Sequence, residues 1–382
     1  MQQASAVDLI NAGWNDVLAW LPPDLDELAK TEFGFRRRGA IRGAADLLRI
    51  AMAYAVLDFS LRSSATWMAT HGLGDVSDVA VLGRLRRSQG FLGRVLAKLL
   101  AARVHWEREP ALPYRVRLID ATCISAPGAD GAEWRVHATY DMATGGIDRI
   151  ELTDDKGGEN LSRAAAGPGD LIVADRGYAH ASRLLELFAA GASFLVRTGH
   201  SALPMVTSDG QPFDPLAFAK RRRKKPGRPP TVEAAEVFLR DDVAREHAVR
   251  LIVVRKSADA TRRDREKIVK EARRKGKEPT QRTLDAAAFA FLVTNVPAER
   301  ADAATLAELY RVRWQVELNF KRWKSIFDLD RLRADDPDLA RSYIYAKLIA
   351  ACLADTLTRA VRAFSPWGVP TSAHTLAPGG LA

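Results

Sequence analysis

Cysteine is almost absent from this chain of 382 residues, which contains only Cys123 and Cys352. Two cysteines cannot supply a disulfide framework or a cysteine-rich zinc site for a protein of this length, so both are excluded. Long apolar runs are also missing, because the most apolar late stretch, residues 343–357, is interrupted by Lys347 and Asp355 and is too short to span a bilayer. The amino end lacks the basic cluster and apolar run of a signal peptide. We therefore expect a soluble, cytoplasmic protein with no membrane partner.

Aromatic residues are sparse at 8%, but apolar residues make up 47% of the chain, which is ample for a sizeable buried core. This composition excludes a chain that is disordered throughout. The length allows two or three domains.

Acidic residues are the minority, with 47 Asp and Glu against 57 Lys and Arg and a net charge of +10. The excess is confined to residues 221–282, which contain 21 Lys and Arg against 10 Asp and Glu. This segment suits a polyanionic partner. It begins with a basic run containing proline and glycine, which predicts either an extended arm that contacts DNA phosphates or a solvated loop. The candidate DNA-binding residues of this arm are Arg221, Arg222, Arg223, Lys224, Lys225 and Arg228.

Residues 1–108 are predicted to form a helical amino-terminal domain. A helix over residues 64–70, a turn with glycines over 71–74 and a second helix capped by Ser77 make a helix-turn-helix pattern. Such a pair of helices either binds DNA or serves only as a structural hairpin. Its candidate DNA contacts are Arg84, Arg86 and Arg87.

From residue 116 the pattern changes to strands, separated by turns and a few helices, which predicts a mixed α/β domain. A turn at residues 144–146 predicts a hairpin between the second and third strands. The strands are expected at 116–120, 133–141, 147–153, 170–175, 193–197, 249–255 and 289–294, and the later helices at 179–190, 304–327 and 337–362.

Two acidic residues, Asp120 and Asp175, are each expected at the end of an apolar strand. If the two strands are neighbours, the carboxylates meet at one edge of the sheet, and their repulsion calls for a cation such as Mg²⁺, which prefers oxygen ligands. The alternative is that each aspartate only begins a turn.

The predicted helix over residues 304–327 presents Tyr310, Arg313, Glu317 and Lys324 at offsets 0, 3, 7 and 14, which fall on one helical face. Glu317 could hold a metal ion there while the phenol and the two cations bind phosphate oxygens. The alternative is a solvated face on which Arg313 pairs with Glu317.

The pattern Tyr310-x2-Arg313-x3-Glu317-x6-Lys324 resembles, in residue type and spacing, the Y-R-E-K signature of insertion sequence 4-type DDE transposases. Asp120 within Leu-Ile-Asp-Ala-Thr and Asp175 within Ala-Asp-Arg-Gly-Tyr are similar to that family's first and second catalytic aspartates. The resemblance runs from about residue 30 to about residue 360.

This resemblance implies a ribonuclease H-like α/β core that is interrupted by a mainly β insertion domain and preceded by a helical domain. The expected divisions are 1–108 as the helical DNA-binding domain, 109–199 as the first part of the core, 200–290 as the basic insertion domain, 291–362 as the second part of the core, and 363–382 as a mobile tail.

The resemblance also implies the chemistry. Asp120, Asp175 and Glu317 would be the catalytic residues and would hold two Mg²⁺ ions, for which Mn²⁺ can substitute. Tyr310, Arg313 and Lys324 would grip the transposon end. The expected reaction is cut-and-paste transposition through a DNA hairpin, by a homodimer that binds double-stranded transposon ends and target DNA in the bacterial cytoplasm, at the nucleoid.

Family members that form hairpins often carry a tryptophan in the insertion domain that stacks on a flipped base. This chain has no tryptophan between Trp134 and Trp314, so Phe289 or Phe291 would have to take that part. Two other functions stay open: a DNA-binding protein derived from a transposase that no longer cleaves DNA, and a metal-dependent nuclease with the same fold.

Overall fold

The computed structural model describes residues 13–33, 41, 43–102, 112–125, 131, 133–221, 231–240, 246–333 and 335–363, without the side chains of residues 33 and 357–363. The described residues fall into two compact units, one drawn from the ranges 1–99 and 334–382 and the other from 100–333. Five predicted DNA contacts lie outside the described residues and stay predictions, as does the predicted mobile tail, of which only residue 363 is described. These five are Arg222, Arg223, Lys224, Lys225 and Arg228.

The helices that the structure describes with full bounds are α1 (Leu25–Phe33), α2 (Ala44–Val56), α3 (Leu61–Thr70), α4 (Asp78–Arg87), α5 (Gln89–Ala101), α6 (Ala181–Ala189), α7 (Pro215–Lys220), α8 (Ala258–Arg274), α9 (Gln281–Ala286), α10 (Ala303–Arg311), α11 (Trp314–Phe327) and α12 (Pro337–Ala363). The strands are β1 (Arg115–Ile124), β2 (Trp134–Asp141), β3 (Gly146–Asp154), β4 (Asp170–Ala174), β5 (Ser193–Thr198), β6 (Met205–Val206), β7 (Val232–Arg240), β8 (Glu246–Arg255) and β9 (Phe289–Thr294).

The helix-turn-helix pattern is present as α3 and α4. Ser77 caps α4, and its hydroxyl accepts a hydrogen bond from the Ala80 amide at 3.2 Å. The last helix, α12, packs in the same unit, where Tyr343 meets the Tyr54 ring edge-on at 5.8 Å and Ser342 Oγ donates to the Leu85 carbonyl at 2.6 Å. These contacts make α12 part of the helical unit.

The second unit is built on a nine-stranded mixed sheet with the order β3-β2-β1-β4-β5-β9-β8-β7-β6. The first three strands form an antiparallel meander, and β1, β4 and β5 are parallel. The β2–β3 hairpin turns at Gly145, whose φ of +67° lies in the left-handed region that favours glycine. The buried apolar residues of β4 and β5 pack against α6, as the predicted α/β order requires.

Two details differ from the expected elements. Asp120 lies inside β1 and does not end it, because antiparallel pairing with β2 carries β1 on to Ile124. The expected helix over 304–327 is broken at Val312 and Arg313. There the backbone makes bonds three residues back, from the Arg313 amide to the Tyr310 carbonyl and from the Val316 amide to the Arg313 carbonyl. A short 3₁₀ turn therefore separates α10 from α11.

The segment 200–290 supplies β6, β7 and β8, and these strands continue the sheet. β9 pairs antiparallel with β5 on one side and with β8 on the other. β7 lies on the far side of β8 and was not expected from the sequence. Among the described residues, none of the helices combines the length and the apolar run that a membrane crossing needs.

His137 on β2 is a buried, neutral imidazole. Only 2% of the residue is exposed, and Nε2 lies 3.1 Å from the Thr153 hydroxyl. Burial, together with the charges of Arg163 and Arg135, lowers the pKa of His137 to about 4.

This depressed pKa predicts a loss of stability in mild acid. In the unfolded chain His137 takes up a proton near pH 6.5. The contribution of the neutral, buried His137 to the free energy of unfolding is therefore complete above pH 6.5 and is lost as the pH falls toward 4. Between pH 7 and pH 4.5, the free energy of unfolding should fall by about 2 kcal/mol more in the wild type than in His137→Gln, as measured by urea titration. His180 is exposed, so His180→Gln should lose as much stability as the wild type. If His137→Gln also loses as much as the wild type, the depressed pKa of His137 is contradicted.

Candidate active site

The parallel pairing of β1 with β4 brings the first two acids together. Ile119 on β1 is in register with Ala174 on β4. Asp120 follows Ile119 and Asp175 follows Ala174, so the two acids lie side by side. Adjacent strands are about 4.8 Å apart. β4 ends at Ala174, whereas β1 continues to Ile124, so both carboxylates lie where β4 stops pairing with β1.

Asp175 begins a 3₁₀ turn over Arg176–Tyr178 and caps it. Its Oδ1 accepts a hydrogen bond from the Gly177 amide at 2.8 Å. Asp120 is held in a similar way, since its Oδ1 accepts from the Ala121 amide at 2.8 Å. Each carboxylate thus has one oxygen held by the backbone.

The third acid reaches the same place on α11, which packs on β1 and β2. Glu317 lies in the first turn of α11, where the helix dipole favours a negative charge. Arg313, in the 3₁₀ turn just before, joins the acids: Nη1 lies 3.3 Å from Asp120 Oδ2, and Nη2 donates to Glu317 Oε1. The site therefore forms between the sheet and the beginning of α11.

Charge at the site is concentrated and partly desolvated. The pKa of Asp120 is raised to about 6, mainly by burial and also by Glu317 and Asp175, because these effects outweigh the lowering by the Ala121 amide and Arg313. Burial alone would lower the pKa of Arg313, but Tyr310, Glu317 and Asp120 raise it overall, so the guanidinium stays charged. One half-buried guanidinium thus serves both Asp120 and Glu317.

These residues fit a divalent cation in their chemistry. The carboxylates offer oxygen ligands, and the raised pKa of Asp120 shows that its charge is incompletely compensated. Within the described part of the chain, no three Asp, Glu, His or Cys side chains are arranged to hold a metal ion as they stand. Glu317 is turned toward Arg313 instead, so its carboxylate would have to leave that guanidinium to reach a cation shared with the aspartates.

The other two residues of the helix signature lie on either side of this centre. The ring of Tyr310 lies close to Arg313, with its centroid 6.0 Å from the guanidinium carbon. Burial raises the pKa of Tyr310. Lys324 lies two turns beyond Glu317 on α11 and is half-buried.

The remaining predicted DNA contacts that the structure describes are engaged within the protein. On α4, Arg84 donates to the Ala80 carbonyl at 3.2 Å, Arg87 donates to the Gly83 carbonyl at 2.9 Å, and Arg86 pairs with Asp336 at 3.0 Å. Arg221 is exposed, and its guanidinium lies over the Phe218 ring at 4.0 Å. These surface contacts are weak enough to exchange for phosphate, and the residues remain predictions.

Phe289 and Phe291 are unsuited to stack on a flipped base. They are 6% and 3% exposed and belong to the hydrophobic core beneath the sheet. The expectation that one of them replaces a stacking tryptophan is therefore wrong, because both rings are needed for packing.

Glu159 and the Tyr178 hydroxyl adjoin the site. Glu159 was not expected there, whereas Tyr178 already neighbours the second acid in the sequence. Glu159 belongs to a polar loop after β3, and Tyr178 follows the second acid by three residues. The charges of Asp120, Glu159 and Asp175 add to the effect of burial in raising the pKa of Tyr178. The only hint in the sequence was the short Asp-Arg-Gly-Tyr turn, because loop contacts cannot be deduced from spacing.

Comparison with known proteins gives consistent matches. Residues 111–353 match the family described as transposase DDE domain. The chain is 36% identical over 356 residues to the putative transposase InsL for insertion sequence element IS186A of Escherichia coli K12, covering 92% of this chain and 96% of that protein. It is also 36% identical over 357 residues to the transposase for insertion sequence element IS421 of Escherichia coli, with the same coverage. The transposase for IS231F of Bacillus thuringiensis subsp. israelensis is 24% identical over 268 residues, 63% of this chain and 55% of that protein.

The raised pKa of Asp120 predicts that its charge costs stability. The unfolded chain loses this proton near pH 3.8 and the folded protein near pH 6, so the cost is complete above pH 6. In EDTA at pH 8, Asp120→Asn should raise the free energy of unfolding by about 1–2 kcal/mol in a urea titration, since the amide still accepts from Ala121. The exposed Asp155→Asn should change it by less than about 0.5 kcal/mol. A destabilised Asp120→Asn would show that pairing with Arg313 outweighs burial.

Proposed function

This chain belongs to the DDE transposase family, and we propose that it is an enzyme that moves an insertion sequence by cut-and-paste transposition. The observation that carries the proposal is that Asp120 and Asp175 lie side by side where β4 ends, while Arg313 bonds both Asp120 and Glu317. The Y-R-E-K spacing supports assignment to the insertion sequence 4 type.

The sheet supports a ribonuclease H-like core. Its strands β1 to β5 have the order 3-2-1-4-5, in which only β2 runs antiparallel to the rest, which resembles that fold. We propose that residues 109–199 and 291–362 supply the core, although α12 at the end of the second range packs within the helical unit, and that 200–290 is an insertion whose strands extend the same sheet. Residues 1–108 would carry the DNA-binding helices.

In the proposed mechanism, Asp120, Asp175 and Glu317 hold the divalent cations, which we take to be two Mg²⁺ ions, or Mn²⁺ in their place. These ions would supply an activated nucleophile and neutralise the charge that develops on the leaving oxygen. Glu317 leaves Arg313 as it turns toward the aspartates. The Nη2 group of Arg313 that held Glu317 then becomes available to a phosphate oxygen, which the planar guanidinium is suited to bind.

Hydrolysis first frees the 3′ end of the element. That 3′-hydroxyl attacks the opposite strand to form a hairpin, and after the hairpin reopens it joins target DNA. Tyr310, Arg313 and Lys324 would grip the phosphates of the transposon end, and the basic arm and α4 would bind the flanking duplex. The active form would be a homodimer on double-stranded DNA in the bacterial cytoplasm, at the nucleoid.

A non-catalytic DNA-binding protein is disfavoured because burying the charge of Asp120 beside Asp175 and Glu317 is costly and serves no purpose without a cation. A plain nuclease would share the acids, so the products of the reaction must decide between the two enzymes.

Cleavage should depend on all three acids. With Mg²⁺ and DNA carrying the element's own ends, Glu317→Gln, Asp120→Asn and Asp175→Asn should each lower the rate of strand-specific nicking at least about a thousandfold while end binding persists. Glu308→Gln, an exposed glutamate on α10, should cleave as the wild type. Joined products on a sequencing gel identify a transposase, and cleaved products alone identify a nuclease. Normal nicking by any of the three variants would refute the assignment of that acid.

Lys324 should contribute to affinity through a phosphate contact. Lys324→Ala should weaken binding to transposon ends and reduce the slope of log K against log salt by about 1, measured by fluorescence anisotropy at several salt concentrations. Lys30→Ala on α1, where the lysine pairs with Glu27, should leave the slope unchanged. A wild-type slope in Lys324→Ala would argue against the contact.

A further inference from the structure

Glu159 lies in the loop between β3 and β4, and its carboxylate reaches the turn that follows the second acid. A Cβ built on Gly177 would overlap Glu159 Oε2, so the carboxylate rests against the Gly177 backbone. The Gly177 amide donates to Asp175 Oδ1 at 2.8 Å. One glycine therefore separates the carboxylate of Glu159 from that of Asp175, and its missing side chain makes the approach possible.

The carboxylate of Glu159 has no compensating partner in the described part of the chain. Neither an ion pair nor a hydrogen bond to a donor engages it there, although the residue is half-buried. Other acids nearby are paired, as Glu151 is with Arg163. A half-buried carboxylate that lies beside a second carboxylate gains most from a cation.

The Tyr178 hydroxyl is an independent sign of a ligand at the same place. Tyr178 is 1% exposed, and its oxygen has no hydrogen-bond partner among the described residues. Burial raises its pKa, and the charges of Asp120, Glu159 and Asp175 raise it further, so the phenol keeps its proton and can donate. Leaving a buried donor without a partner destabilises the folded protein, so such a group calls for a functional reason.

We propose that Glu159 is a fourth carboxylate of the active site and that it acts with the Tyr178 hydroxyl to strengthen divalent-cation binding by Asp120 and Asp175. The inference rests on the proposed function. Glu159 adds negative charge and acceptor oxygens to the surroundings of the cation. Tyr178 is a positioning residue that holds a ligating carboxylate in place by donating to it, as partners of metal ligands commonly do.

Calorimetric titration of the full-length protein with Mn²⁺, without DNA, tests this directly. Glu159→Gln keeps the shape of the side chain and removes its charge, and it should weaken Mn²⁺ binding about 10- to 100-fold. Tyr178→Phe should also weaken binding, while its melting temperature in EDTA should not fall, since the hydroxyl makes no bond there. Glu186→Gln, on the exposed face of α6, is the matched control and should bind as the wild type.

Gly177→Ala supplies a second, independent test. The new Cβ would displace Glu159, so this variant should lose about as much Mn²⁺ affinity as Glu159→Ala. The double variant should lose no more than either single variant, because both changes remove the same group. Additive losses would mean that Gly177 acts through Asp175 alone and would overturn the part assigned to Glu159.

The controls separate this inference from the proposed function. Asp175→Asn should abolish Mn²⁺ binding. If it does and Glu159→Gln still binds Mn²⁺ as the wild type, the fourth carboxylate is refuted and the transposase assignment stands. If the wild type itself binds no Mn²⁺, both are overturned.

Discussion

The candidate active site depends on the parallel pairing of β1 with β4, because this pairing places two carboxylates side by side. Hydrogen bonds between the strands fix the register of Ile119 with Ala174 and leave Asp120 and Asp175 no freedom to separate. Their repulsion is opposed by the backbone amides that each accepts and by Arg313 from the helix above. The pairing of the strands thus concentrates negative charge where β4 ends, and a positive charge is stabilised at that point.

Arg313 supplies part of this positive charge and also determines where Glu317 lies. The 3₁₀ turn between α10 and α11 brings the guanidinium of Arg313 into reach of both Asp120 and Glu317. An ion pair with a solvent-exposed partner contributes little to stability and is readily exchanged. Glu317 keeps 41% of its side chain exposed, so its pairing is the easier one to give up.

Much of this architecture follows from local sequence patterns. The hairpin at Gly145, the buried strand before Asp175 and the cap at Ser77 depend on neighbouring residues, and each is present in the structure. Asp120 was misplaced at a strand end because the extension of β1 comes from its partner β2. The break at Val312 interrupts a helical pattern without proline or glycine, so it reflects tertiary contacts. The approach of Glu159 to Gly177 is a contact between a loop and a turn, and no periodicity encodes it.

The pairing of β5 with β9 has a consequence for the order of folding. It joins Leu195 to Thr294, so a loop of about 100 residues must close before the two strands can meet, at an entropic cost that the local β1–β2–β3 hairpins avoid. The meander that carries Asp120 can therefore form early, whereas Arg313, which holds Glu317, meets Asp120 across 193 residues of sequence and so later in synthesis. We expect the nascent chain to stay harmless to chromosomal DNA until synthesis and long-range folding are nearly complete.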